Sequence, residues 1–183
     1  LEDNHNINIA ENSINQDNDV YISNENNETI NNQANNADSI YVSVNGSNTK
    51  GDGSNDNPYQ SLDYAIENAK NNSVIYMFNG TYNSSKNTGF IINKNLTIKS
   101  VNGNVIIDGL NNTFIFNITE NTSLILNSIT IINGYGDKTT ESSFYNKGNL
   151  TIISCTLKNN QGFISGISNY GTLTIKNSNL DLN

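Results

Sequence analysis

Carboxylate side chains are the first candidates for catalysis, because a pair of them, one acting as acid and one as base, hydrolyses glycosidic bonds in many enzymes. The acidic residues beyond the predicted helix are Asp108, Glu120, Asp137, Glu141 and Asp181. They do not share one position of the repeat in this chain, so folding would not stack them along a groove. Asp108 precedes a glycine, which is typical of a turn, and we expect Glu120 and Glu141 to face solvent. The sequence therefore predicts no catalytic residue and no enzyme.

One oxygen-rich stretch resembles the first half of a calcium-binding loop. Asp52, Ser54 and Asp56 supply oxygen atoms at alternate positions, as such loops do. The twelfth position of the loop should carry a bidentate Glu, and here it carries Asp63. We interpret the stretch as a polar loop, and we predict no metal ion and no cofactor.

Histidine and cysteine occur once each, as His5 and Cys155. We expect His5, in a polar N-terminal stretch, to be solvated. Cys155 falls in a predicted inward column between Ile129 and Ser178, where a small thiol fills core space rather than acting as a nucleophile. A single cysteine also excludes a disulfide framework and a cysteine-based metal site.

Tyrosines and asparagines offer a different chemistry, because aromatic faces stack on sugar rings and amides bind hydroxyl groups. Tyr145 and Tyr170 flank Asn146 and Asn169, which share a column just before the glycines of two successive turns. Stacked asparagines also hydrogen-bond along a repeat and satisfy turn backbones. We predict Tyr145, Asn146, Asn169 and Tyr170 as candidate glycan contacts, with ordinary surface residues as the alternative.

Asn-x-Ser/Thr sequences occur about as often as chance supplies in a chain with 41 asparagines. They would accept glycans if the protein is exported. The asparagines concerned are Asn27, Asn45, Asn71, Asn79, Asn83, Asn95, Asn111, Asn117, Asn121 and Asn149.

A short apolar pattern that recurs every 23 to 28 residues must position all of these groups. Leu96, Leu124, Leu150 and Leu173 share one column of the alignment, and Ile98, Leu126, Ile152 and Ile175 share the column two residues on. Apolar residues that alternate with Thr are typical of a half-buried strand. The spacing is typical of a solenoid with one strand-bearing coil stacked on the next.

Three further columns support the same arrangement. We predict one column of Phe90, Ile118, Phe144 and Ile167, six residues before the leucines. The other two columns consist of Ile129, Cys155 and Ser178, and of Ile131, Leu157 and Leu180. Together the columns predict an all-β fold, a parallel β-helix of about four coils.

Charge divides the chain into two parts. Residues 1–39 hold eight acidic residues and no Lys, whereas the nine remaining acidic residues balance the nine Lys of the chain. We predict that 1–39 is a disordered, acidic, Asn-rich linker and that 40–183 is the β-helix domain, the N-terminal part of a longer solenoid. The neutral domain has no basic patch for nucleic acid, and no apolar run is long enough to span a membrane.

The domain begins with a predicted strand over Ile40 to Val44, a glycine-containing loop, and a helix over Leu62 to Lys70. Ser61 should cap that helix, whose apolar stripe would close the first coil. Val74 to Phe78 is the first buried strand of the stack, and Gly80 to Tyr82 should end it.

Residues 40–66 resemble the leading segment of pectate-lyase-like right-handed β-helix proteins. The resemblance lies in a Tyr-Val strand, a Gly-Asp-Gly loop, an Asn-Pro-aromatic turn and a short helix, and Gly80-Thr-Tyr82 and Ile107-Asp-Gly109 continue it. The units from Asn146 to Ile152 and from Asn169 to Ile175 are similar to repeats of large adhesin-like surface proteins of methanogenic archaea. The resemblance implies a right-handed β-helix with a short N-terminal capping helix, and a secreted or cell-surface location.

These observations favour a non-enzymatic, extracellular, adhesin-like segment whose rigid face attaches to glycans or proteins of other cells. The alternative is a fragment of a polysaccharide lyase or hydrolase with catalytic coils beyond residue 183. A third hypothesis is a spacer that binds no ligand.

Overall fold

The computed structural model describes residues 7–9, 38–138, 141–163 and 165–182. Within these ranges the chain forms sixteen strands, one α-helix and a single 3-10 turn, Ser85–Asn87. The helix α1 spans Leu62–Asn68, and the strands are β1 (Ile7–Ile9), β2 (Ser39–Val42), β3 (Ser73–Met77), β4 (Gly80–Tyr82), β5 (Phe90–Ile92), β6 (Leu96–Ser100), β7 (Val105–Asp108), β8 (Phe116–Ile118), β9 (Ser123–Asn127), β10 (Thr130–Ile132), β11 (Ser142–Asn146), β12 (Asn149–Ile153), β13 (Thr156–Asn160), β14 (Ser165–Asn169), β15 (Thr172–Lys176) and β16 (Asn179–Leu182).

The strands form three parallel sheets that the chain visits in turn. Sheet A has the order β1-β15-β12-β9-β6-β3-β2, sheet B the order β16-β13-β10-β7-β4, and sheet C the order β14-β11-β8-β5. Each of the four complete coils contributes one strand to each sheet, so β3, β4 and β5 make the first coil and β12, β13 and β14 the fourth. Strands β15 and β16 belong to a fifth coil. The predicted right-handed parallel β-helix of about four coils is confirmed.

The columns of sheet A also follow the prediction. Leu96 pairs with Leu124, Leu124 with Leu150, and Leu150 with Leu173. All four leucines are buried, because residues at alternate positions of a strand point to the same face. Each coil therefore adds its aliphatic side chains to one continuous core.

The predicted column on sheet C was wrong at one position. Phe116, not Ile118, pairs with both Phe90 and Phe144, and the rings of Phe116 and Phe144 lie 5.9 Å apart. The turn between β8 and β9, residues 119–122, is two residues longer than the turn between β11 and β12. Counting back from the leucines therefore gives the wrong residue, and Ile118 lies instead between Ile92 and Asn146.

The last three turns from sheet A to sheet B, each two residues long, share one backbone conformation. Their first residues, Ser128, Ser154 and Asn177, have φ values of 57°, 52° and 49°. This left-handed conformation is uncommon for residues other than glycine. It turns the chain sharply enough for the next strand to start two residues later.

Helix α1 ends two residues before the predicted Lys70 and is not capped as expected. Ser61 occupies the N-cap position, but its side chain makes no capping hydrogen bond; instead the side-chain oxygen of Asn87 accepts the Leu62 N–H at 2.8 Å. At the other end, the Lys94 ammonium donates to three carbonyl groups, including that of Ala69 at 2.8 Å. Cations at this end of a helix offset the negative end of its dipole.

The N-terminal strands differ from the prediction in their limits. The strand expected over Ile40 to Val44 is β2, Ser39–Val42, and Gly80–Tyr82 is a separate strand in sheet B rather than the end of β3. Strand β1 pairs in parallel with β15, with Ile7 opposite Leu173.

The predicted linker, residues 1–39, contains β1, but its remaining residues up to Ala37, His5 among them, lie outside the described residues. Disorder there stays a prediction, as does a longer solenoid. No helix in the described ranges is both long and apolar enough to cross a membrane.

Candidate functional site

The four candidate glycan contacts lie at the ends of neighbouring strands in sheet C. Tyr145 and Asn146 end β11 in the third coil, Asn169 ends β14 in the fourth, and Tyr170 follows it. Asn146 pairs with Asn169 in the sheet. Strand alternation turns Asn146 inward, where it is fully buried, and leaves the neighbouring Tyr145 facing out.

The two asparagines form a hydrogen-bonded ladder, which is one of the arrangements that stacked asparagines allow along a repeat. The Asn146 side-chain NH2 donates to the Asn169 side-chain oxygen at 2.6 Å and to the Thr172 carbonyl at 2.9 Å. Its own oxygen accepts the Gly148 N–H at 3.1 Å, and the Asn169 NH2 donates to the Gly171 carbonyl at 3.0 Å. The amide of Asn146 therefore positions the two turns from the interior of the coil and is not exposed to a ligand. Asn169 is half-buried.

The two turns pack so closely that only glycine fits. A Cβ atom on Gly148 would lie 2.3 Å from the Thr122 carbonyl oxygen, and one on Gly171 would lie 2.1 Å from the Gly148 carbonyl oxygen. The asparagine ladder and the glycines thus fix where the adjoining tyrosines emerge.

Beside the ladder lies a group of four side chains that we call the tyrosine patch, namely Tyr145, Tyr170, Lys147 and Glu141. The two rings lie 5.3 Å apart and are tilted by 50°, and Tyr170 is 54% exposed. The Lys147 ammonium lies 5.3 Å from the centre of the Tyr145 ring, and the Tyr170 hydroxyl donates to the Glu141 carboxylate at 2.9 Å. Glu141, which we expected to face solvent, is only partly exposed and helps to hold Tyr170.

Two other carboxylates, those of Asp108 and Asp52, have local structural roles. One Asp108 oxygen accepts from the Leu110 N–H and from the Asn133 side chain, both at 2.9 Å, which confirms the predicted turn. Asp52 accepts the Ser54 N–H at 2.9 Å, and hydrogen bonds from the side chain and backbone of Ser54 lower the pKa of Asp52. Among the described residues, no group of three or more His, Cys, Asp or Glu is arranged to hold a metal ion.

Cys155 is a core residue, as predicted. Its side chain is almost fully buried, and its sulfur lies 3.2 Å from the Ile153 carbonyl oxygen. Burial raises the pKa of the Cys155 thiol, which lowers the fraction of reactive thiolate at neutral pH.

Sequence reasoning missed a groove at the first coil. It has a volume of about 370 Å³. We call it the polar groove, and its lining residues are Val44, Gln60, Ser61, Thr81, Asn83, Ser84, Lys86 and Asn87. No repeat signal could have found it, because its residues come from the loop before α1, from β4 and from the 3-10 turn.

The architecture and its outward-facing patch define the chain as a parallel β-helix protein. The chain belongs to the family described as "Protein of unknown function (DUF1565)", which matches residues 44–183. No curated protein matches it. One solved structure, a rhamnogalacturonan lyase, is similar with 14% sequence identity and a TM-score of 0.44, covering 77% of this chain. The chain spans 56% of the length of that lyase.

Proposed function

We propose that this chain is a non-enzymatic, carbohydrate-binding β-helix segment of an extracellular, adhesin-like surface protein. The observation that carries the proposal is the outward-facing tyrosine pair, the half-buried Tyr145 and the exposed Tyr170, beside the hydrogen bond between Asn146 and Asn169. A stack of parallel strands is rigid, so the pair is presented with little conformational freedom to lose on binding.

The chemistry of the tyrosine patch suits a sugar. Two tilted aromatic rings form a shallow apolar surface for the C–H groups of a pyranose. Lys147 and Glu141 lie at its edges and offer a hydrogen-bond donor and an acceptor to ring hydroxyls. The similarity of these turns to repeats of adhesin-like archaeal surface proteins supports the cell-surface location.

The proposal is tested by screening the full chain on a glycan array and measuring the affinity of the best glycan by calorimetry. Tyr145→Ala and Tyr170→Ala should each weaken binding roughly fivefold to tenfold, because each removes a stacking surface worth about 1 kcal/mol. Tyr170→Phe should bind nearly as well as wild type, since it keeps the ring. Tyr135→Ala is the matched control, because Tyr135 is an exposed tyrosine outside the patch.

Two results would contradict the proposal. Binding that survives both alanine substitutions would place the ligand elsewhere, and an array without any bound glycan would favour the spacer hypothesis. The surface location is tested separately, by protease treatment of intact cells that produce the protein. Peptides of this chain should be released before the cells lyse.

A further inference from the structure

The polar groove has a fixed floor. Ser61 and Asn87 are 3% and 6% exposed, and both are held by hydrogen bonds. The Asn87 oxygen accepts the Leu62 N–H, its NH2 donates to the Ser84 hydroxyl at 2.9 Å, and Ser61 accepts from the Asn48 side chain at 2.7 Å. The floor therefore needs no rearrangement before a ligand enters.

The rim of the groove differs from the floor, because the polar side chains of the rim are not held by hydrogen bonds. Gln60, Thr81, Asn83 and Lys86 are exposed, and their side chains make no hydrogen bond or ion pair with the described residues. These four side chains bring two amides, one hydroxyl and one ammonium to the edge of a single depression. These side chains can form hydrogen bonds to a ligand without giving up a hydrogen bond within the described part of the protein.

The composition of the lining restricts the class of ligand. Val44 is the only apolar side chain, and no lining residue is aromatic or acidic, so neither a lipid nor a metal cation fits. Amides and hydroxyls both donate and accept hydrogen bonds, as a sugar requires. Lys86 adds one positive charge, a strong partner for a carboxylate or a phosphate.

Asp63, an acidic residue beside the floor of the groove, is already hydrogen-bonded. The Asp63 carboxylate, which contacts Ser61, accepts from the Ser61 hydroxyl and from the Tyr64 N–H. The volume of the groove, about 370 Å³, lies at the small end of the range for ligand sites and suits about one or two sugar units.

We propose that the polar groove binds a monosaccharide unit that carries one anionic group, a carboxylate or a phosphate, with Lys86 as the anion partner and Gln60, Thr81 and Asn83 as partners of the hydroxyls. This site is separate from the tyrosine patch, because it is built from the first coil and the loop before α1, whereas the patch is built from the third and fourth coils. Either site can fail without affecting the argument for the other.

The experiment titrates the full chain with four probes, glucuronate, glucose 6-phosphate, glucose and inorganic phosphate, and follows amide resonances of residues 80–87. Glucuronate or glucose 6-phosphate should bind roughly fivefold to tenfold more tightly than glucose, because a hydrogen bond to a charged group is stronger than a neutral one. Inorganic phosphate should bind more weakly than the better of the two anionic sugars, since it lacks most of the hydroxyl contacts. Comparing those two sugars shows which anion the site takes.

Four variants complete the test. Lys86→Gln should remove the preference for the anionic sugars and leave glucose binding unchanged. Lys176→Gln, the same charge change at an exposed position in the fifth coil, should change nothing. Thr81→Val should weaken every sugar severalfold, and Tyr145→Ala should have no effect at this site. Equal affinity for glucose and the anionic sugars, an unaltered preference in Lys86→Gln, or no binding of any probe at millimolar concentration would each overturn the proposal.

Discussion

One column on the inner face of sheet C changes its chemistry halfway along the stack. Ile92 and Ile118 fill it in the first two coils, and Asn146 and Asn169 fill it in the third and fourth. The first three of these side chains are fully buried. The same backbone position is thus stabilised by apolar burial in one region and by hydrogen bonds in the other.

Buried isoleucines and hydrogen-bonded asparagines stabilise the fold in different ways. Burying an isoleucine contributes about 1.5–3 kcal/mol and has no directional requirement. A buried amide costs free energy unless it is hydrogen-bonded, and each bond returns only about 1 kcal/mol. Asparagines therefore add little net stability, but they define where the next turn lies, and the tyrosine patch emerges from those turns.

Asn160 shows that this device is used more than once. It is fully buried, its oxygen accepts the Gly134 N–H, and its NH2 donates to the Ile131 carbonyl, both at 2.9 Å. Its partners lie in the preceding coil, so this amide also ties two coils together.

The largest expected loss of stability comes from introducing an amide into the apolar part of this column. Ile92→Asn should reduce the free energy of unfolding by about 3–5 kcal/mol, because it removes a buried aliphatic group and leaves an amide without partners. Urea denaturation followed by circular dichroism measures this loss. Ile92→Val is the control and should cost about 1 kcal/mol.

Ile118→Asn sharpens the same test, because its neighbour in the column is Asn146, whose oxygen can accept a further hydrogen bond. It should cost less than Ile92→Asn. Equal losses at the two positions would show that the amides of this column do not support one another.

A smaller loss is expected when the ladder itself is cut. Asn146→Ala leaves the Gly148 N–H, the Asn169 oxygen and the Thr172 carbonyl without their partner. We expect a loss of about 2–3 kcal/mol in the free energy of unfolding, again measured in urea. Asn146→Leu keeps a similar size but removes both the donor and the acceptor, so it separates hydrogen bonding from packing. A loss below about 0.5 kcal/mol for the alanine variant would contradict a positioning role.

The smallest of these losses in stability is expected at Asn169. Its side chain is only half-buried, so water can replace part of what is lost. Asn169→Ala should cost about 1 kcal/mol, measured as a shift in the urea midpoint with an unchanged slope. Tyr170 follows Asn169 directly, so glycan affinity should fall in this variant as well. An effect larger than that of Asn146→Ala would reverse the proposed order of importance.

The sequence predicted the stack because strand periodicity and the spacing of Leu124, Leu150 and Leu173 are local signals that repeat. The prediction was wrong at Phe116, because the turn of residues 119–122 contains no glycine and its length cannot be read from the sequence. The inward direction of Asn146 could have been predicted from its place two residues after Phe144, since both occupy the same face of β11.

The polar groove could not have been predicted in this way. Its walls come from segments that differ in type and do not repeat, so only the folded arrangement brings Gln60 close to Lys86. The same holds for Asn87, which caps α1 from 25 residues along the chain.

The parallel stacking also has a mechanical consequence. The backbone hydrogen bonds between paired strands of successive coils run along the axis on which the coils are stacked, for example between β9 and β12 or between β13 and β16. A tension along that axis would load each interface in series, so the weakest interface would open first while its neighbours stay intact. A sideways shear would load many hydrogen bonds of one sheet at once and would meet far greater resistance. The direction in which the protein is pulled therefore determines whether it extends step by step or holds as a rigid rod.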